Sequence, residues 1–306
     1  MSTQTVAQPR TWRARLGASE RVGTSGQRPS AASRILLWIG VFLTIVFCLF
    51  PFYWMINTSL KTGGELSTGH LFPHHPSLDN YTSIFKNSDF TTALRTSAIV
   101  AGGSTLIALT IGSFAAYALA RLRFKFKFLI LAIVLSTTTF PPIAIAAPLF
   151  KIWTSGLFGI RLYNTYLGLI LPFLTFILPL TIYILTSFFQ EIPKDLEEAA
   201  LVDGATRFQA FRKIVIPLAA PGLVTAGLLA FIFAWNEFLL SITLTSSANR
   251  RPVSAAIAFF TGSQQFQIPL GTIAAATVTI TVPLIVLVII FQKRIVAGLT
   301  AGAVKG

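Results

Sequence analysis

Few side chains in this sequence have the chemistry to act on another molecule, and they fall into three groups. The first is Trp235-Asn236-Glu237, set inside an apolar run that holds no other acidic residue. A charge at mid-membrane costs about 2.5–3.5 kcal/mol on insertion scales, so such residues face a bundle interior or a cavity. An amide, a carboxylate and an indole suit a polyhydroxylated solute, bound by bidentate polar groups and by stacking of its C–H faces on an aromatic ring. Neighbours on a helix diverge by about 100°, so only part of the trio faces inward together. Glu237 as a helix cap or an interhelical bridge is the competing role, and both readings stand. The second group is Glu191, Asp195, Glu197, Glu198 and Asp203, half of the ten acidic residues, all inside the polar segment 190–222. The third is His70, His74 and His75, between prolines, which read as a solvated loop rather than a metal site. Catalysis needs a cluster of reactive groups, and one cysteine (Cys48), three loop histidines and one intramembrane Glu do not form one. No G-x4-G-K-[ST] stretch occurs, so any ATP or Mg would be bound by another chain, and no cofactor is expected on this one.

The elements that position these groups are membrane helices. Of 306 residues, 54% are hydrophobic and 11% charged, against about 25% charged in soluble domains. The mean hydropathy is +0.72. The formal charge of +14 does not indicate nucleic acid, because the basic residues flank apolar runs instead of forming a basic domain. The fold class expected is all-α, a polytopic membrane protein with six spans near 35–60, 96–120, 128–150, 166–189, 223–245 and 271–291. Each is long enough for roughly 30 Å of hydrocarbon. Residues 1–33 read as a disordered extension, since they hold few large apolar residues; the first run is too long for a signal-peptide core. The membrane domain then covers 34–295, and a tail covers 296–306.

Lysine and arginine set the orientation. With the N-terminus inside, inside segments hold 17 of the 24 basic residues and outside segments 7. Discounting the six that precede the first span leaves the sign unchanged. Both termini are therefore expected in the cytosol of a multi-pass cell-membrane protein, in contact with lipid on its outer surface. Gly112 and Ala116 form a small-x3-small pair in the second span, which lets helix backbones approach closely. Thr137-Thr138-Thr139-Phe140-Pro141-Pro142 should kink or break the third span, as a packing kink or as part of a pathway, with Thr138 and Pro141 the candidate residues.

Segment 190–222 has the grammar of a helical hairpin. Acidic residues after Pro193 complement a helix N-terminus. Leu196, Ala199 and Ala200 make a narrow small-apolar stripe, and Gly204 falls where a left-handed residue ends the helix. Thr206 and Gln209 read as a capping box for a second short helix. Phe208, Phe211, Ile214 and Val215 form its apolar face, and Pro217 is expected to stop it. A helix pair this short has no core of its own and must dock against something.

Glu198-Ala199-Ala200, Gly204, and Ile214-x-Ile216-Pro217 after nine residues resemble the EAA loop of binding-protein-dependent ABC importer permeases, although the family usually has Leu where Ile216 stands. Leu78-Asp79-Asn80-Tyr81, Trp235-Asn236-Glu237-Phe238 and the end Gly298 to Gly306 are similar to the carbohydrate (maltose/trehalose) branch, in particular the tail-bearing permease of actinobacterial trehalose importers. The long N-terminal extension is not part of that pattern. The resemblance implies a type I importer permease architecture. It implies a coupling helix in which Glu198, Ala199, Ala200, Asp203, Gly204, Ala205, Phe208 and Phe211 meet a cytosolic ABC ATPase dimer. It also implies that Gly298, Thr300, Gly302 and Lys305 reach between the ATPase subunits. Expected partners are a second, different permease chain and an extracytoplasmic sugar-binding protein. Trp235, Asn236, Glu237, Thr138 and Pro141 are the substrate-pathway residues, with trehalose or another disaccharide as cargo. A different class of function, an ion-coupled secondary transporter using Glu237, would call for inverted repeats, and neither the hairpin nor the charged fifth span recurs.

Overall fold

The structure is a computed structural model that describes residues 31–123, 125–156, 159–260 and 269–301, with side chains as far as Gln292. The chain divides into two units, Met1–Phe50 and Pro51–Gly306. Within the first, residues 31–50 are helical and exposed along their whole length, as expected for a lipid-facing apolar segment. Residues 1–30 lie outside the described residues; the helix begins at Ala31, inside the stretch expected as extension.

All the elements among the described residues are helical. Four of the six expected spans are single apolar helices: α1 (Ala31–Ser59), α3 (Ser88–Arg121), α6 (Tyr166–Glu191) and α13 (Leu270–Ala301). The short amphipathic α2 (Asp79–Lys86) precedes α3 and buries Ile84. Asn80 of α2 donates to the carbonyls of Ser59 (2.9 Å) and Lys61 (2.8 Å), which fixes the chain leaving α1. The second span starts eight residues earlier than the hydropathy suggests. Asn87 caps it, its side chain accepting from the Asp89 N–H at 2.8 Å, and the first turns bury Phe90 and Ala93 beneath polar neighbours that mask the apolar signal.

The third span is a bent pair, as the prolines imply. α4 (Lys127–Ser136) runs into a 3₁₀ turn at Thr137–Thr139, α5 (Pro142–Ser155) follows, and the axis turns by 87°. The hydroxyls of Thr137, Thr138 and Thr139 bond back to the carbonyls of Val134, Leu135 and Ser136 at 2.6–2.7 Å. They satisfy acceptors at a helix end where two prolines supply no donors.

The hairpin helix α7 (Asp195–Val202) leads to α8 (Arg207–Ala210), a π turn at Phe211–Val215, α9 (Ile216–Leu218) and α10 (Ala220–Asn236). Here two expectations are corrected. Pro217 does not stop the second helix: the π turn absorbs its missing donor, with the Ile216 N–H reaching the Phe211 carbonyl, and Pro217 sits at the start of the next helical piece. The chain instead turns by 76° at Ala219. The fifth span also does not run to 245 as one helix. It ends at Asn236, Glu237 is extended, and α11 (Leu239–Leu244) and α12 (Val253–Ala256) follow.

α3 and α6 form the central pair, with α10 against both and α13 against α10. A Cβ at Gly112 would stand 2.8 Å from the Thr181 methyl of α6, so only glycine permits this approach, and Ala116 is buried one turn on. Two apolar clusters result. One surrounds Phe90, Phe173, Trp235, Leu240 and Val253; the other joins Ala116 and Ala120 of α3 to Leu185, Phe189, Phe211, Val215 and Ala226 at the hairpin end.

Candidate functional site

The hairpin forms as its residues require. α7 ends in a Schellman motif: the Gly204 N–H donates to Leu201 (3.1 Å) and the Ala205 N–H to Ala200 (2.9 Å), with Gly204 at φ +86°. Thr206 and Gln209 make the capping box, Gln209 N–H to Thr206 Oγ1 at 3.2 Å and Thr206 N–H to Gln209 Oε1 at 2.7 Å.

Its two faces differ. The inner face holds Ala210, Phe211 and Val215, all buried, with the Phe211 ring 4.7 Å from Tyr117 and 5.3 Å from Phe114, both on α3. The outer face carries Glu198, Ala199, Asp203 and Gly204, all exposed, with Ala200 and Ala205 partly covered. Large apolar side chains stand out with them: Val202 is 87% exposed, Phe208 57% and Leu196 43%. Of the expected stripe, Ala199 and Leu196 are exposed, Leu196 at the edge of a groove lined by Phe188, Leu218 and Pro221, and Ala200 is partly covered. Phe208, read as part of one apolar face with Phe211, lies on the surface with its ring stacked 6.5 Å from the exposed Phe114, whereas Phe211, which the resemblance set against the ATPase, is buried against α3 in this chain.

The inward role of one acidic residue of the hairpin escaped the sequence reading. Glu197 is buried, and its carboxylate is paired with the Arg121 guanidinium Nε at the end of α3. The Tyr117 hydroxyl donates to its other oxygen at 2.9 Å, and Arg121 Nη2 donates to the Ile192 carbonyl at 3.0 Å. The available signal was the side-by-side pair Glu197-Glu198, whose side chains on a helix point about 100° apart, so one could turn in while the other stays out.

The second candidate, at the break of the fifth span, is arranged differently. Trp235 is buried, its Nε1–H donating to the Ile280 carbonyl at 3.2 Å and its ring stacked 5.4 Å from Phe231. Asn236 is exposed and donates to the Ile232 carbonyl one turn back (2.9 Å). The Glu237 carboxylate accepts from the backbone N–H groups of Leu240 (2.8 Å) and Ser241 (3.0 Å) and from the Ser241 hydroxyl (3.2 Å). Its carbonyl accepts from the Ser241 and Ser254 hydroxyls at 2.9 and 2.7 Å. The three side chains therefore diverge: one packs, one faces out, and one caps α11. Thr138 and Pro141 are exposed at the break of the third span, and no hydrogen bond joins them to residues 235–237 among the described residues. Of the tail residues, Gly302 and Lys305 lie outside the described residues, and Gly298 and Thr300 fall in the last turns of α13, where only the backbone is described.

His70 and His74 meet edge to face at 4.6 Å, and the His74 N–H donates to the Glu65 carboxylate. That donor holds the Glu65 carboxyl below its ordinary value of 4.5.

Residues 108–300 match the family described as binding-protein-dependent transport system inner membrane components. The chain is 50% identical over 264 residues to the trehalose transport system permease protein SugB of Mycobacterium tuberculosis, covering 86% of this chain and 95% of the relative. It is 40% identical over 281 residues to the trehalose/maltose transport system permease protein MalG of Thermococcus litoralis, covering 91% and 99%. The fold matches a crystal structure of a bacterial ABC transporter that imports the polysaccharide alginate, with TM-score 0.71 and 23% identity over 86% of this chain and 98% of that one. A hairpin held by its inner face, four long apolar helices with two bent pairs, and relatives matched over nearly their full length agree: the chain belongs to the binding-protein-dependent transport system inner membrane components, the permease subunits of ABC importers.

Proposed function

We propose that this permease forms half of the sugar pathway of an ATP-driven importer and that its hairpin seats in a cytosolic ATPase subunit. The observation that carries the proposal is the hairpin's outer face. Val202, Leu196 and Phe208 are exposed beside the small residues Ala199, Ala200 and Gly204, on a segment whose opposite face is anchored. Apolar side chains presented to water on a polar hairpin mark a surface built for a partner. Orientation by basic residues puts that face, and both termini, on the cytosolic side. A second permease chain completes the pathway, a sugar-binding protein delivers cargo outside, and ATP and Mg stay with the ATPase dimer. By the resemblance, Gly298, Thr300, Gly302 and Lys305 are the residues proposed to contact that dimer.

A disaccharide, with trehalose first, is the proposed cargo, supported by the names of the relatives at 50% and 40% identity. In this chain alone, Trp235 contributes through packing, while Asn236, Thr138 and Pro141 have exposed surface to offer a solute. Ion coupling through Glu237 draws no support from the geometry, because its carboxylate already serves as a helix cap.

The test is uptake of radiolabelled trehalose and maltose by the reconstituted complex, with Gly204→Pro as the probe. Proline fixes φ near −65°, and residue 204 needs +86°. The variant should remain in the membrane yet hydrolyse ATP without accumulating sugar. Wild-type accumulation by that variant would remove the hairpin from the mechanism.

A further inference from the structure

We propose that Glu197, Arg121 and Tyr117 form the linkage through which movement of the hairpin enters the membrane bundle. The proposal rests on the reading of the outer face as the ATPase contact and adds how force leaves it.

The backbone neighbours of α7 are α8 and the π turn behind it. Its polar connection to the bundle is the Glu197 carboxylate, which reaches the last residue of α3. The pair is buried, with side chains 7% and 10% exposed. Arg121 ties three elements at once. It belongs to α3, its Nε meets Glu197 of α7, and its Nη2 holds the Ile192 carbonyl where α6 ends. Tyr117, one turn earlier on α3, holds the second carboxylate oxygen and also packs on Phe211 of the π turn. Both halves of the hairpin therefore converge on one turn of α3, the helix that packs most closely along α6.

A buried ion pair with defined hydrogen bonds resists both shear and separation, because breaking it strands a charge away from water. The apolar contacts of Phe211 and Val215 are less directional and would let the hairpin slide. The planar fork of arginine is also required: a lysine at 121 keeps the charge but cannot hold Glu197 and Ile192 together. Glu197 and Glu198 thus divide the work, with 198 facing out to the partner and 197 facing in to the bundle. Arg121, Tyr117 and Glu197 are positioning residues; none needs to touch sugar or nucleotide.

The experiment uses the complete importer in vesicles and reads sugar moved per ATP hydrolysed. Glu197→Gln should retain the ATPase subunits and their hydrolysis, while sugar moved per ATP falls about tenfold, towards the lower end of coupling between sites. Arg121→Lys should do the same, and the exchange Arg121→Glu with Glu197→Arg should recover part of the ratio; a purely structural role would lower the yield of assembled importer and leave the ratio of the assembled fraction unchanged. If Glu197→Gln fails to assemble, Tyr117→Phe decides, since it removes one hydrogen bond and spares the ion pair; a reduced ratio supports the linkage. A wild-type ratio in Glu197→Gln, or in Tyr117→Phe where that variant decides, overturns the linkage, provided that Gly204→Pro is uncoupled. If Gly204→Pro is also wild type, the reading of the hairpin fails first and the linkage falls with it.

Discussion

Glu197 and Glu237 are both carboxylates drawn into this apolar protein, and they are satisfied in opposite ways. The Glu237 carboxylate finds its donors three and four residues ahead, in the first turn of α11, so these bonds report only that the chain turns there. Glu197 finds its donors 76 and 80 residues back, on α3. The first arrangement ends one helix and starts another. The second ties two elements that are distant in sequence. A local cap is replaceable at modest cost, whereas an interelement pair fails as a unit when one partner is lost.

That contrast has a measurable size. Glu197→Ala leaves Arg121 buried and uncompensated, which costs roughly 3–5 kcal/mol of hairpin docking. Trypsin cleavage after Lys194 and Arg207 in the detergent-purified importer should accelerate by about two orders of magnitude or more, as cleavage tracks the open population. Next in size is Gly112→Leu. Its side chain would meet Thr181 where even a Cβ stands 2.8 Å away, and overpacking of this kind costs about 1–3 kcal/mol, visible as a lower unfolding temperature. Glu237→Ala should cost about 1 kcal/mol, the worth of a helix cap, with faster amide exchange confined to residues 238–242. If Glu237→Ala were as damaging as Glu197→Ala, the distinction between cap and linkage would collapse.

The smallest effect concerns the loop that holds Glu65 and His74. The Glu65 carboxyl titrates below its ordinary value because the His74 N–H donates to its charged form. The stabilisation is therefore full above the unfolded-state value near 4.5 and is lost as pH falls through the lowered folded value. Protection of the His74 amide, after correction for intrinsic exchange, should persist at pH 6 and fade in acid below pH 4.5; Glu65→Gln should abolish this pH dependence.

Much of the architecture was legible in the sequence because its signals are local. Apolar run length marks the spans, the Thr-Pro-Pro stretch marks the break in the third, and Gly204, Thr206 and Gln209 write the hairpin's turn and cap. What could not be read depends on which elements meet. Nothing near Arg121 in sequence shows that it faces Glu197, and nothing near Pro217 shows that a π turn will carry the helix past it. For Trp235-Asn236-Glu237 the sequence left two roles open, contact with a solute and a helix cap, and only the fold shows the carboxylate capping α11. Residue types suited to a sugar were adjacent in sequence, yet helix geometry and the break at 237 send them three ways.

The central claim is that the hairpin's outer face is a contact surface for the motor while its inner face belongs to the bundle. Cys48 is the only native cysteine, so Cys48→Ser gives a background for single-cysteine probes. The decisive measurement places cysteine at Val202 or, separately, at Val215, which is fully buried, and cross-links the assembled complex with a short bifunctional reagent. Position 202 should capture the nucleotide-hydrolysing subunit in high yield, and position 215 should not. Failure of 202 to find that subunit, or equal capture from 215, would contradict the account.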